Sequence, residues 1–144
     1  MKKDEGSKKL QLILFDLENE KFGLDLTQMK EINRQMTITP VPNAPAHFEG
    51  ASNLRGKIVP VVSLRKRLGL SFAPKTEDSR VVILERDGEL IGFSVDRVTE
   101  VLRVDPAKIL PYEGSTMLVQ KQYIRGVVKR DASLIILLQL DLLI

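Results

Sequence analysis

A mainly β fold built from two related lobes is what this sequence predicts, and three observations carry the prediction. Short apolar runs bounded by turn residues recur along the 144 residues. One of them is an explicit hairpin closed by Asp87-Gly88. The pattern of the first half also returns, weakly but in order, in the second. Many short strands with frequent turns suit small barrels or a sandwich.

The chain opens on a charged stretch without an apolar run, Met1 to Lys9, which reads as a flexible tail and not as a secretory signal. Strands are expected over Leu10–Leu17 and Lys21–Leu26, joined by a turn at Glu18-Asn19-Glu20. Met29, Ile32 and Met36 then fall at helical spacing, with Asp25 and Gln28 placed to cap a helix; an irregular strand fits the same pattern. Pro40, Pro42 and Pro45 force an extended path with few backbone donors. Further strands follow over Ile58–Leu64, Arg80–Arg86, Glu89–Val95 and Leu134–Leu140. In the hairpin Arg80–Val95, Asp87-Gly88 supplies the positive φ angles of a tight turn.

The repeat organises these elements. Shifted by 69 residues, Phe15–Ile32 falls on Leu84–Val101, so that Glu20 meets Glu89, Gly23 meets Gly92, Met29 meets Val98 and Glu31 meets Glu100. Shifted by 76, Phe48–Leu64 falls on Ile124–Leu140, where Gly50 meets Gly126, Ile58 meets Leu134 and Val61 meets Leu137. Each half therefore reads as hairpin, turn or short helix, loop, glycine, hairpin. The polar stretch Ser71–Ser79 is the natural boundary. Residues 10–78 and 79–144 are expected to form one lobe each, with a first strand shared with the second lobe as the alternative. Halves of this size are marginal alone, so the lobes should pack on each other.

Composition narrows the chemistry. Cysteine is absent, so disulfide and thiol chemistry are excluded, and the composition fits a cytoplasmic protein. No apolar run reaches the roughly 18 residues of a membrane helix. With His47 the sole histidine, neither a zinc site nor a Ser-His-Asp triad is expected, and no cofactor is implied. Gly50–Lys57 has five residues between its glycines, an Ile after the Lys and a strand next, so it is not a phosphate loop. A net charge of +3 and the cluster Arg65, Lys66, Arg67 raise nucleic-acid binding. The few aromatics sit in apolar strand patterns, which favours a solvated basic turn. The chain is expected to be a binding protein and not an enzyme.

Four segments in order carry a resemblance. Gly50-Ala-Ser-Asn-Leu-Arg-Gly-Lys-Ile-Val-Pro-Val-Val-Ser-Leu-Arg65 resembles the signature G-V-I-N-L-R-G-x-I-[IV]-P-V-[IV]-D-L-R of the CheW family. Asp25–Ile32, Ile38–Pro45 and Gly92–Val101 are similar to its D-I-x-x-V-x-E-I, I-T-x-[VL]-P-N-[AT]-P and G-x-x-V-D-x-V-x-x-V segments. The chain departs from the pattern at Ser63, where the family usually has Asp, at Ala51 and Ser52, and in ending without the longer C-terminal helix of many relatives. The same domain type also ends CheA-type kinases and begins CheV-type proteins. The resemblance implies two SH3-like five-stranded β-barrels packed together. It also implies a non-catalytic adaptor at receptor arrays on the inner face of the membrane, without insertion into it. The implied partners are the cytoplasmic tip of methyl-accepting receptors, held in a groove between the barrels, and the regulatory domain of a CheA-type histidine kinase. Other CheW-like domains could join it in rings. Couplers of pili or gliding pathways, and a small nucleic-acid-binding barrel, are the alternatives.

Within that reading, the groove residues are expected to be Met29, Glu31, Ile32, Asn53, Arg55, Val98 and Val101. Arg55 carries a planar charged fork suited to a receptor carboxylate, or to bracing the Asn53–Gly56 turn. Met29, Ile32, Val98 and Val101 either line the groove or fill the core. Glu31 is expected to face the partner. Gly50, Gly56, Gly92 and Gly126 are expected to serve backbone geometry, by positive φ or close strand approach.

Overall fold

Strand β1 (Leu10–Leu17) is buried on both faces along most of its length, and this determines the architecture. A strand in a single small barrel has one face for the barrel interior and one for solvent; β1 has no face for solvent. The structure, a computed structural model, describes residues 9–34, 36–112, 119–139 and 143. The expected tail up to Lys8 and the end of the last expected strand, Leu140, lie outside them. After β1 come β2 (Glu20–Asp25), β3 (Met29–Asn33), β4 (Phe48–Leu54) and β5 (Lys57–Ser63). The second half supplies β6 (Arg80–Arg86), β7 (Glu89–Val95), β8 (Arg97–Val104), β9 (Ile124–Arg130) and β10 (Ser133–Leu138). Among the described residues, no helix is long and apolar enough to cross a membrane.

The strands form two five-stranded sheets, ordered β8-β1-β2-β10-β9 in barrel A and β3-β6-β7-β5-β4 in barrel B. Alternate residues of β1 explain how the barrels meet. Leu12 and Leu14 pack with Ile135 and Leu137 inside barrel A. Ile13, Phe15 and Leu17 face the other way, into a core that also holds Val82, Leu84 and Phe93 of barrel B. Strand β6 does the reverse, with Val81 and Ile83 inside barrel B and Val82 and Leu84 in the shared core. The period of two thus feeds two cores from one strand.

The expected division at residues 78 and 79 does not separate the sheets. Barrel A takes β1 and β2 from the first repeat and β8, β9 and β10 from the second; barrel B takes β6 and β7 with β3, β4 and β5. The repeats have exchanged their leading hairpins. The reason lies in the links: one 3-10 turn, Leu26–Gln28, carries the chain from β2 to β3, and Asp96 alone carries it from β7 to β8. Such short links favour running on into the adjoining sheet over turning back across the hairpin. The repeat itself is followed closely by the pairing. Leu137 faces Gly23 as Val61 faces Gly92, and Leu110 bridges Val127 as Thr39 bridges Ala51.

Those two bridges close the barrels, and they explain two of the expected glycines. A Cβ on Gly126 would stand 2.8 Å from the Leu110 carbonyl oxygen, and one on Gly50 (φ 147°) would overlap the Thr39 carbonyl. Gly92 likewise makes room for Val81, whereas Gly56 (φ 88°) serves the β4–β5 turn.

Of the two readings open for this segment, helix or irregular strand, the structure takes the second: a 3-10 turn followed by the bulged strand β3. Asp25 does cap, accepting from the Thr27 N–H at 2.9 Å, but only that turn. The helical spacing of Met29 and Ile32 comes from a bulge. Met29 pairs with Leu84, Glu31 with Ile83 and Ile32 with Val82, leaving Lys30 as the extra residue. One inserted residue converts a two-residue repeat on one face into a three-residue one. An equivalent bulge falls at Thr99 in β8.

Candidate functional site

The third strand of each repeat lies at the edge of its sheet, β3 in barrel B and β8 in barrel A. Met29 and Ile32 stand opposite Leu84 and Val82; Val98 and Val101 stand opposite Phe15 and Ile13. All four opposing residues belong to the shared core. The four expected groove residues therefore point to the side on which the barrels meet. Met29, Ile32 and Val98 pack against that core as partly buried residues, while Val101 stays 51% exposed. On each edge strand the pair extends the shared core as an apolar strip, and at Val101 that strip is open to solvent.

Beside the strip lies an ion pair. Arg55, in the β4–β5 turn with φ 50°, donates from Nη2 to Glu31 of β3. Glu31, expected to face a partner freely, is engaged within its own barrel. The second repeat does the same: Glu100 of β8 accepts from Arg130, which holds its carboxyl below the usual range. A brace to the edge strand at both places, from the β4–β5 turn in one and from the end of β9 in the other, gives Arg55 a structural part. Its side chain nevertheless remains 70% exposed, with Nη2 alone engaged among the described residues. Asn53, itself exposed, accepts at Oδ1 from the Gly56 N–H at 2.9 Å; it holds the turn that presents Arg55.

The polar centre that sequence reasoning missed is Arg65. It was read as part of a solvated basic turn, yet its side chain is only 15% exposed. Nε and Nη2 donate to the two Asp96 oxygens at 2.8 and 2.6 Å, and Nη1 to Glu18 at 2.7 Å and the Ser71 carbonyl at 2.8 Å. Asp96 also accepts from the Glu18 N–H at 3.1 Å. This fork joins the turn after β5, the β1–β2 turn and the β7–β8 link. The Asp96 hydrogen bond, foremost among several causes, raises the Arg65 pKa above its ordinary value. Arg65 and Asp96 each stand in a motif segment, which was the available signal. Ser63 begins the same turn, its Oγ accepting from the Lys66 N–H at 3.2 Å. Serine and aspartate both cap helical turns, so its departure from the family pattern keeps the cap.

His47 packs edge-on against Phe48, ring centroids 5.2 Å apart. Burial, and then Arg67, push its pKa below 6.5. The unfolded chain therefore takes up a proton before the folded one. Stability should be level above pH 6.5 and fall as the pH drops through that value. Urea melts across pH read this, and His47→Gln should flatten the acid limb.

With this geometry in view, the relatives can be compared. A family model for the CheW-like domain matches residues 11–144. The chain belongs to the CheW-like domain family. It is 36% identical over 137 residues to the chemotaxis protein CheW of Thermotoga maritima, covering 95% of this chain and 89% of that one. The crystal structure of the scaffolding protein TtCheW from Thermoanaerobacter tengcongensis superposes with a TM-score of 0.83 at 36% identity, over 91% of this chain and 89% of that chain. Protein PilI of Pseudomonas aeruginosa is 26% identical over 77 residues, 54% of this chain and 43% of its own. The two five-stranded barrels of this CheW-like domain are the SH3-like pair the resemblance implied. Its family sets the chain among CheW-type coupling adaptors.

Proposed function

We propose that this chain couples the cytoplasmic tip of methyl-accepting chemotaxis receptors to the regulatory domain of a CheA-type histidine kinase, without catalysis of its own. The observation that carries the reading is the apolar strip of Met29, Ile32, Val98 and Val101 at the meeting of the barrels, open at Val101 and flanked by Arg55. A helical hairpin lays apolar positions along such a strip and offers carboxylates or carbonyls to the free donors of Arg55. The kinase domain, and further CheW-like domains in a ring, would meet barrel ends, where the repeat-equivalent residues Ile58 and Leu134 are exposed. The work would take place in the cytoplasm, at receptor arrays.

A pili-pathway coupler is the second reading, favoured by the PilI relative but over a shorter span and at lower identity. Nucleic-acid binding draws less support, because Arg65 is bound in its fork and Arg67 lies 5.2 Å from the Tyr123 ring centroid.

Pull-downs and titrations with a receptor-tip fragment and a CheA regulatory domain test the proposal. Val101→Ala should weaken receptor binding by about 1–3 kcal/mol and leave the melt almost unchanged, since half of the side chain is already in water. Arg55→Ala should cost no more than about 1 kcal/mol of stability while weakening the same complex. Wild-type chain that binds neither fragment would overturn the assignment.

A further inference from the structure

A cavity of about 420 Å³ opens in barrel B between the β3–β4 connection and the segment joining the two repeats. That size lies within the range of small-molecule sites. Its apolar floor is Met36, Ile38 and Val81, which pack in or against the barrel interior. Three cations converge on its rim: Arg34, Lys75 and Arg80. Among the described residues no carboxylate lines it. Lys75 is held from the adjoining side by Glu49 at 2.7 Å. Arg80 is fixed by donating from Nη1 to the Glu77 and Ser79 carbonyls, both at 2.8 Å, which leaves its charge unmatched. Arg34 makes no ion pair among the described residues.

Two hydroxyls complete the lining. Ser79 Oγ accepts from the Thr76 N–H at 2.8 Å, and Thr76 Oγ1 accepts from the Asp78 N–H at 3.1 Å. Each hydroxyl thus has one acceptor position satisfied and keeps its proton to donate. Arg34 and Arg80, which have no described carboxylate partner, and two hydroxyl donors over an apolar floor suit one chemistry: oxyanion groups on a small organic body.

The geometry points to a binding site for a small organic polyanion, bearing a phosphate or two carboxylates, in this cavity. The site lies outside the docking strip and stands independently of the adaptor reading. Its ligand would tie the inter-repeat segment, through Thr76 and Ser79, to the strand exit at Arg34.

The test uses the full chain, isotopically labelled, titrated with pyrophosphate and with citrate, and with acetate as the monoanion control. Saturable amide shifts confined to Thr37, Ile38 and Thr76–Val81 are expected from either polyanion, with acetate far weaker. Arg34→Glu, at an exposed position without a described partner, should keep the wild-type melt and weaken both polyanions by about tenfold or more. Shifts that never saturate, or that survive Arg34→Glu undiminished, would overturn the site. An oligoglutamate peptide that binds here while pyrophosphate and citrate do not would assign the cavity to a protein partner and also overturn it.

Discussion

Cut between Asp78 and Ser79, the chain should give two fragments that do not fold as monomers and that assemble when mixed. The exchanged hairpins require it. Fragment 1–78 holds β1 and β2 without the three strands that complete barrel A, and β3, β4 and β5 without the hairpin that completes barrel B. Closing its own hairpin onto its own three strands would leave Ile13, Phe15, Leu17, Phe22 and Leu24 facing water, all of them now buried in the shared core. Each such side chain is worth about 1.5–3 kcal/mol on burial, against a whole-domain stability of about 5–15 kcal/mol. A monomeric half therefore cannot meet its ordering entropy. Circular dichroism and sedimentation of each fragment, then of the mixture, read the outcome. The expected result is disorder or self-association alone and native strand content in a one-to-one complex. A folded monomer of residues 10–78 would show that exchange is a choice of the chain and not a necessity.

What the sequence conveyed follows from what a local pattern can hold. Three strands match their expected bounds, Leu10–Leu17, Arg80–Arg86 and Glu89–Val95, because apolar alternation and a Asp-Gly turn are local signals. The repeat was legible because Gly23 and Gly92, and Gly50 and Gly126, meet corresponding constraints in corresponding places. Of the exchange of hairpins, only a sharing of the first strand was anticipated; its extension to β2, β6 and β7 was not legible. An exchanged and an unexchanged barrel bury the same residues on the same faces, and only link length tells them apart. Strand β8 was hidden for a different reason: its bulge at Thr99 breaks the alternation, and its edge position leaves Arg97, Glu100 and Arg103 in solvent. At the site, Met29, Ile32, Val98 and Val101 came from the family resemblance, with the repeat pairing them, and the structure turns all four toward the shared core. Glu31 and Arg55 were both named, but their pairing joins residues 24 positions apart, and periodicity carries no such information. Arg65 was overlooked because a run of three basic residues usually marks a solvated face, and its carboxylates arrive from two distant turns.

Arg65→Ala should be the most damaging change of a charged residue, lowering stability by about 2–3 kcal/mol in urea denaturation. The fork makes three charge-assisted bonds to two carboxylates and one to a carbonyl. Without it, Asp96 and Glu18 are left close together with like charge, Asp96 still bound to the Glu18 N–H. The partial exposure of both carboxylates limits the loss, since water replaces some of what is removed. Arg65→Lys should recover less than half, because a point charge cannot hold both Asp96 oxygens as the planar fork does. A double-mutant cycle with Asp96→Ala isolates the pair from the rest. A second effect separates this fork from an ordinary stabilising pair. Asp96 is the single residue linking β7 to β8, and β8 carries Val98 and Val101 of the proposed docking strip. At a temperature where the variant is still folded, Arg65→Ala should weaken receptor-fragment binding although the described hydrogen-bond partners of Arg65, Asp96, Glu18 and Ser71, are none of the four strip residues. Binding that stays at the wild-type value would confine the fork to stability alone. Weakened binding that Arg65→Lys restores in proportion to stability would make it the element that holds β8 in register for its partner.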